Sequence, residues 1–160
     1  MSGQTLKILY FHGWESTPGG VKPTYLRAHG HQVIEPALPH DDYPESIRIA
    51  EAFCLEHRPD VIVGSSRGGS VAMNMDAGDV PLVLLCPAWK RWGTARTVKP
   101  GTLILHAETD EVIPFADSLE LLANSRLPGE SLIRTGTIHR LSDPVSLQCM
   151  LKTAERAGRR

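Results

Sequence analysis

The chain has 160 residues and a mass of 17.5 kDa, the size of one domain that buries its own core without disulfide or metal staples. With 41% hydrophobic and 22% charged residues, it lies outside the fibrous and disordered classes. Its 17 Lys and Arg against 18 Asp and Glu leave a net charge of −1, with no electrostatic footprint for nucleic acid or an anionic membrane.

Short apolar runs alternate with longer amphipathic ones. Leu6–Phe11, Gln32–Glu35, Val61–Val63, Leu82–Leu85, Leu103–Leu105 and Ser131–Arg134 read as strands, most of them near-continuous Val, Ile and Leu. Between them, a weak helix is expected over Pro23–His29 and a stronger one over Pro44–His57, capped by Asp42 with Glu45 in its first turn. Ser70–Met75 continues from a strand through glycines. Ala116–Asn124 carries Leu119, Leu122 and Ala123 at helical spacing. Ser142–Arg156 starts from a Ser cap with Pro144 in its first turn, and sets Val145 and Cys149 on one face. This alternation predicts an α/β fold, a three-layer αβα sandwich on a mostly parallel sheet of about six strands, as a single domain over 1–160.

Three widely spaced cysteines, Cys54, Cys86 and Cys149, sit among apolar residues and read as buried thiols, neither a disulfide frame nor a zinc site. The run Ile8–Phe11 is too short for a secretory or membrane segment, so the expected setting is a soluble cytoplasmic one.

In parallel sheets, sites form beyond the carboxyl ends of the strands. After the third strand comes Gly64-Ser65-Ser66-Arg67-Gly68, a Gly-x-Ser-x-Gly pattern between a strand and a helix. That turn is sharp, needs small residues two positions either side of the serine, and presents the hydroxyl at a helix N-terminus. No lysine follows Gly68 or Gly69 as a phosphate-cradling Walker loop requires, and the dinucleotide fingerprint Gly-x-Gly-x-x-Gly is absent.

A serine hydroxyl is a weak nucleophile and needs a base, itself oriented by an acid. Asp110 and then His139 follow Ser66 at later strand ends, in the chain order this fold uses. Competitors remain at each position. Ser65 neighbours Ser66 but lacks glycines two positions away on both sides; His106 and His12 compete with His139, and Glu108 and Glu111 with Asp110. Read alone, Ser66 is equally a helix cap. A metal at His40-Asp41-Asp42 is the weaker reading, since Asp42 serves better as a cap.

With these residues on the page, the sequence resembles the α/β-hydrolase superfamily over nearly its whole length. Leu9-Tyr10-Phe11-His12-Gly13-Trp14 resembles that family's strand and oxyanion loop. Leu103 through Pro114 is similar to its acid-bearing strand and loop, with Asp110 in the acid's position. Within the superfamily, the opening "HGW-x-S-T-P" and the small size resemble the short esterase-like YqiA group. The resemblance implies Ser66 as nucleophile, His139 as base and Asp110 as its orienter. It also implies an oxyanion hole from the backbone N–H groups of Trp14 and Arg67. An arginine directly after the nucleophile departs from the family's usual apolar or neutral residue.

His12 is expected to shape the oxyanion loop by hydrogen bonding, and the Arg67 side chain to lie along its helix in water. Trp89 and Trp92, where relatives insert a lid, either wall a substrate pocket or pack a short loop. The resulting expectation is a compact, open-sited serine hydrolase of a small ester or thioester, with no cofactor, metal, nucleic acid or membrane partner. The alternative is a ligand-binding or signalling protein on the same fold.

Overall fold

A computed structural model describes residues 3–14 and 16–159. Six strands form one sheet: β1 (Lys7–Phe11), β2 (Gln32–Ile34), β3 (Val61–Ser65), β4 (Leu82–Leu85), β5 (Leu103–His106) and β6 (Leu132–Arg134). Their order is β2-β1-β3-β4-β5-β6 and every pairing is parallel. The apolar character follows position. All four residues of β4 are buried, as are the first four of β3, whereas the edge strands β2 and β6 are three residues long and partly open. Parallel strands need cover on both faces, and these sequences supply side chains for both.

One layer holds α1 (Val21–Ala28) and α5 (Pro144–Gly158), whose Leu26, Leu147, Met150, Leu151 and Ala154 pack with Ile8, Val63, Val83 and Leu105. The other holds α2 (Tyr43–His57), α3 (Arg67–Asn74) and α4 (Phe115–Asn124), whose Ala50, Cys54, Val71, Ala72 and Leu121 cover Leu9, Ile62, Leu84 and Ile104. Alternate residues of each strand thus feed alternate cores. Among the described residues no helix is long and apolar enough to cross a membrane.

The expected elements all form, with four differences in α3, α4 and α5. The helix α3 starts at Arg67 rather than Ser70, because Gly68 and Gly69 belong to it and are buried. The cap of α5 is Asp143, not Ser142: its carboxylate accepts from the N–H of Ser146 at 3.0 Å. Val145 is 71% exposed and Cys149 only half-buried, since the buried face runs through Leu147, Met150, Leu151 and Ala154 instead. In α4, likewise, Leu119 and Ala123 are exposed, and Ser118 and Leu121 face inward.

After β1 the chain builds outward to β2, then returns to the other side of β1 for β3. A crevice opens where the winding reverses, beyond the carboxyl ends of β1 and β3. His12 and Gly13 leave one strand there, and Ser66 leaves the other.

Candidate active site

Ser66 stands at the junction of β3 and α3 with φ 56° and ψ −114°, a backbone conformation strained for any residue with a side chain. Neighbouring chains hold it there. Its N–H donates to the Leu85 carbonyl at 2.8 Å, and its own carbonyl accepts from Ala88 at 3.0 Å and Gly69 at 3.0 Å. The turn closes only because its flanking positions are glycine. A Cβ on Gly64 would stand 2.5 Å from the Gly68 carbonyl oxygen, and one on Gly68 would collide with the carbonyl of Phe11.

The Ser66 hydroxyl caps no helix. Its Oγ lies 2.9 Å from Nε2 of His139, whose Nδ1 lies 2.7 Å from Oδ2 of Asp110. The carboxylate fixes the tautomer: Nδ1–H donates to Asp110, leaving Nε2 to accept the serine proton. The Asp110 side chain is fully shielded, yet all its needs are met. Oδ1 accepts from the N–H groups of Val112 at 2.7 Å and Ile113 at 2.8 Å, and Oδ2 accepts from His139 and from His106 at 3.1 Å. Burial by itself pushes this carboxyl up, but the bonds from His106, His139, Ile113 and Val112 outweigh it and hold it far below the usual carboxylate range.

The competing residues fall elsewhere. Ser65 lines the cleft beside Tyr10, but Nε2 of His139 is bonded to Ser66 and not to Ser65. Glu108 is exposed beside Arg134, and Glu111 meets His139 only through the backbone N–H, at 3.0 Å. His106 lies wholly buried behind Asp110. His12 uses both ring nitrogens, Nδ1–H donating to the Gly13 carbonyl at 2.9 Å and Nε2 accepting from the Leu38 N–H at 3.0 Å. It therefore braces the loop after β1 against residues 36–40. Asp42 caps α2 by accepting from the Glu45 N–H at 3.1 Å. Among the described residues, the donor atoms of Cys86, His106 and Asp110 lie within 4.8 Å of one another. In this trio the imidazole and carboxylate are already hydrogen-bonded, which accounts for the closeness without an ion.

The loop after β1 passes directly beside the serine, with the Cβ position of Gly13 3.6 Å from the Ser66 Cβ. Arg67 opens α3, where the first N–H groups lack intrahelical acceptors. Trp14 is half exposed and its ring stands 6.1 Å from that of Trp92. Both line a cleft of about 420 Å³ that also touches His12, Ser66 and His139.

Of the two readings open for the tryptophans, Trp92 takes the cleft one and Trp89 the packing one, and the expectation for Arg67 fails. Trp89 does not line this cleft: it is 2% exposed, packed in the core under α4, with its indole N–H donating to the Asp117 carbonyl. Nor does the Arg67 side chain reach water. It is 1% exposed, donates from Nη2 to the Pro39 carbonyl at 2.9 Å and to Ser46 Oγ at 3.3 Å, and lies between the rings of Tyr43 and Trp92. Those aromatic faces come from α2 and the loop after β4, distant in sequence. Sequence reasoning also missed Lys22, Arg91 and Arg140 as cleft residues; each stands in a segment whose path only the folded chain defines.

No protein-family model matches the sequence, and no curated protein does. Solved structures do. A protein of the alpha/beta hydrolase superfamily from Xanthomonas campestris pv. campestris superposes with a TM-score of 0.71 at 22% identity, over 96% of this chain and 97% of that one. The esterase domain of a Rhodothermus marinus protein gives 0.66 at 15% identity, over 94% and 87%. An alpha-beta serine hydrolase homologue from Coxiella burnetii gives 0.71 at 15% identity, over 96% and 85%.

Proposed function

This chain has the α/β-hydrolase fold, and on it we propose a serine hydrolase that cleaves a small ester or thioester through an acyl-enzyme on Ser66. The observation that carries this reading is the unbroken hydrogen-bond chain from Ser66 through His139 to Asp110, starting at a strained strand-to-helix turn. The esterase domain and the serine hydrolase homologue among the similar structures support it.

The chemistry follows the geometry. As Ser66 Oγ bonds to the substrate carbonyl carbon, its proton moves to Nε2 of His139. Asp110, ionised and fully hydrogen-bonded, stabilises the imidazolium without taking a proton. The oxyanion is met by the backbone N–H groups of Arg67 and Trp14, each such donor contributing about 3 kcal/mol to the transition state. Collapse breaks the carbon–oxygen or carbon–sulfur bond, and the departing alcohol or thiol takes the proton from Nε2. Water then repeats the sequence. It gives one proton to His139, its hydroxyl bonds to the acyl carbon, and Ser66 leaves with the proton restored, freeing the acid. His12 holds the oxyanion loop, and Trp14 with Trp92 walls the cleft.

A fluorophosphonate probe followed by peptide mapping tests the assignment. Labelling is expected on Ser66 alone, abolished in Ser66→Ala and strongly slowed in His139→Ala. Absence of labelling together with no turnover of 4-nitrophenyl butyrate overturns the reading in favour of a non-catalytic ligand-binding protein.

A further inference from the structure

Four basic or acidic side chains touch the cleft beside Ser66: Lys22, Arg91, Arg140 and Glu35. The single acid is already spent. Glu35 pairs with Arg27 at 2.8 Å and accepts from the Gly19 N–H at 3.0 Å. Among the described residues, no carboxylate stands within 4 Å of any of the three cations. Their described contacts are with carbonyls: the Lys22 ammonium donates to the Arg140 carbonyl at 2.6 Å, and Arg91 Nη2 donates to the Val112 carbonyl at 2.7 Å.

Lys22 is the most telling of the three. It stands in the first turn of α1, where the helix dipole opposes a cation and where no acidic residue offsets it. Burial pushes its ammonium down to about 8, against an ordinary value above 10. The Arg140 carbonyl is its one described partner, which leaves two of its three N–H donors for an anion in the cleft. Three cations, Lys22 half-buried and Arg91 and Arg140 exposed, line the same cleft as Ser66 and His139 and favour a substrate of opposite sign.

We infer that the cleft takes an ester or thioester carrying an anionic group, a carboxylate or a phosphate, held by Lys22, Arg91 and Arg140 while Ser66 attacks the carbonyl. This rests on the serine-hydrolase reading and names the substrate class for it.

The test compares matched substrates. On the acyl side, mono-4-nitrophenyl glutarate is set against its methyl ester; on the alcohol side, 4-butyryloxy-3-nitrobenzoate is set against its methyl ester. The wild type is expected to prefer the acid of at least one pair by about tenfold in kcat/KM, the worth of one charge-assisted hydrogen bond. That ratio should fall towards one in Lys22→Gln combined with Arg140→Gln. If the variant does not fold, the wild-type ratio must still shrink as sodium chloride is raised. Competitive inhibition by glutarate against phenyl phosphate tells which anion is preferred. Turnover of the neutral esters with no acid preference overturns this inference and leaves the serine hydrolase standing. No turnover and no labelling of Ser66 overturns both.

Discussion

Nε2 of His106 stands 3.1 Å from Oδ2 of Asp110, with neither side chain open to solvent. The same nitrogen is 2.9 Å from the Ile113 carbonyl, and Nδ1 is 2.7 Å from Ser118 Oγ. Two acceptors beside one nitrogen require it to carry the hydrogen, so Nε2–H is shared between the Ile113 carbonyl and Asp110 while Nδ1 meets the Ser118 hydroxyl. His106 positions the carboxylate that orients His139. His106→Leu leaves Ser118 unpartnered and Asp110 with one donor fewer, which should lower stability by about 2–3 kcal/mol. Turnover of 4-nitrophenyl butyrate should fall about tenfold in kcat with KM little changed, and His106→Gln should recover part of the loss. Full kcat in a folded His106→Leu variant removes the positioning role.

Asp110 also writes a pH dependence. Its hydrogen bonds hold the folded-state carboxyl far below the value of about 3.9 for an unfolded Asp. A depressed carboxyl contributes its full stability above that unfolded value and loses it as pH falls towards the folded one. The difference in unfolding free energy between wild type and Asp110→Asn should therefore be constant from pH 7 to about 5 and shrink progressively below about 4. Urea denaturation at stepped pH measures it. A difference that stays flat down to pH 3 contradicts the bonding described.

The strand ends were readable because chemistry and backbone coincide there. Gly64, Ser66 and Gly68 mark a turn that few other sequences make, and the structure brings Asp110 and His139 to Ser66 from two later strand ends. What stayed hidden depends on contacts across the chain. The burial of Arg67 is set by Tyr43 and Trp92, and the partner of His106 is Ser118 on α4. The true inward face of α5 was masked by Val145 and Cys149, which share helical spacing but look outward or sideways. Trp89 belongs to the core because α4 lies over it, a contact that no local pattern around Pro87 announces.

Arg67 is a cation in the interior with no carboxylate facing it, held by two oxygen acceptors and two aromatic rings, and its Nε has no partner. A planar guanidinium stacks on aromatic rings and is weakly hydrated; a lysine ammonium can reach the two acceptors but does not stack flat on the rings and is harder to dehydrate. Arg67→Lys should lower stability by about 2 kcal/mol, a fall of about 4–8 °C in Tm for a domain of this size. Arg67→Met keeps much of the stem packing, removes the buried charge and leaves no orphaned Nε, so it should cost less than Arg67→Lys. Thermal unfolding followed by circular dichroism ranks them, and the reverse order would mean that the charge itself holds α3 to α2.

The three glycines around Ser66 differ in what surrounds them, and alanine substitution should separate them. On Gly68 a Cβ meets the backbone carbonyls of Phe11 and His12; on Gly64 it meets the Gly68 carbonyl oxygen at 2.5 Å. Backbone of a central parallel pair has nowhere to go, because Phe11 and Gly64 are register partners of β1 and β3. Either substitution should cost about 3 kcal/mol or more and open the turn that strains Ser66. Gly69 differs in degree. Its Cβ would stand 3.1 Å from the Pro87 Cβ and 3.3 Å from the Gly64 carbonyl, gaps that yield by a few tenths of an ångström. As an interior residue of α3, Gly69→Ala also gains about 1 kcal/mol of helix propensity, which offsets most of that crowding. Near-wild-type Tm and Ser66 labelling are therefore expected for Gly69→Ala, against a Tm lowered by at least about 6 °C with labelling lost for the other two. Equal losses at all three positions would show that helix packing on Pro87, and not the closeness of β1 to the turn, fixes the serine.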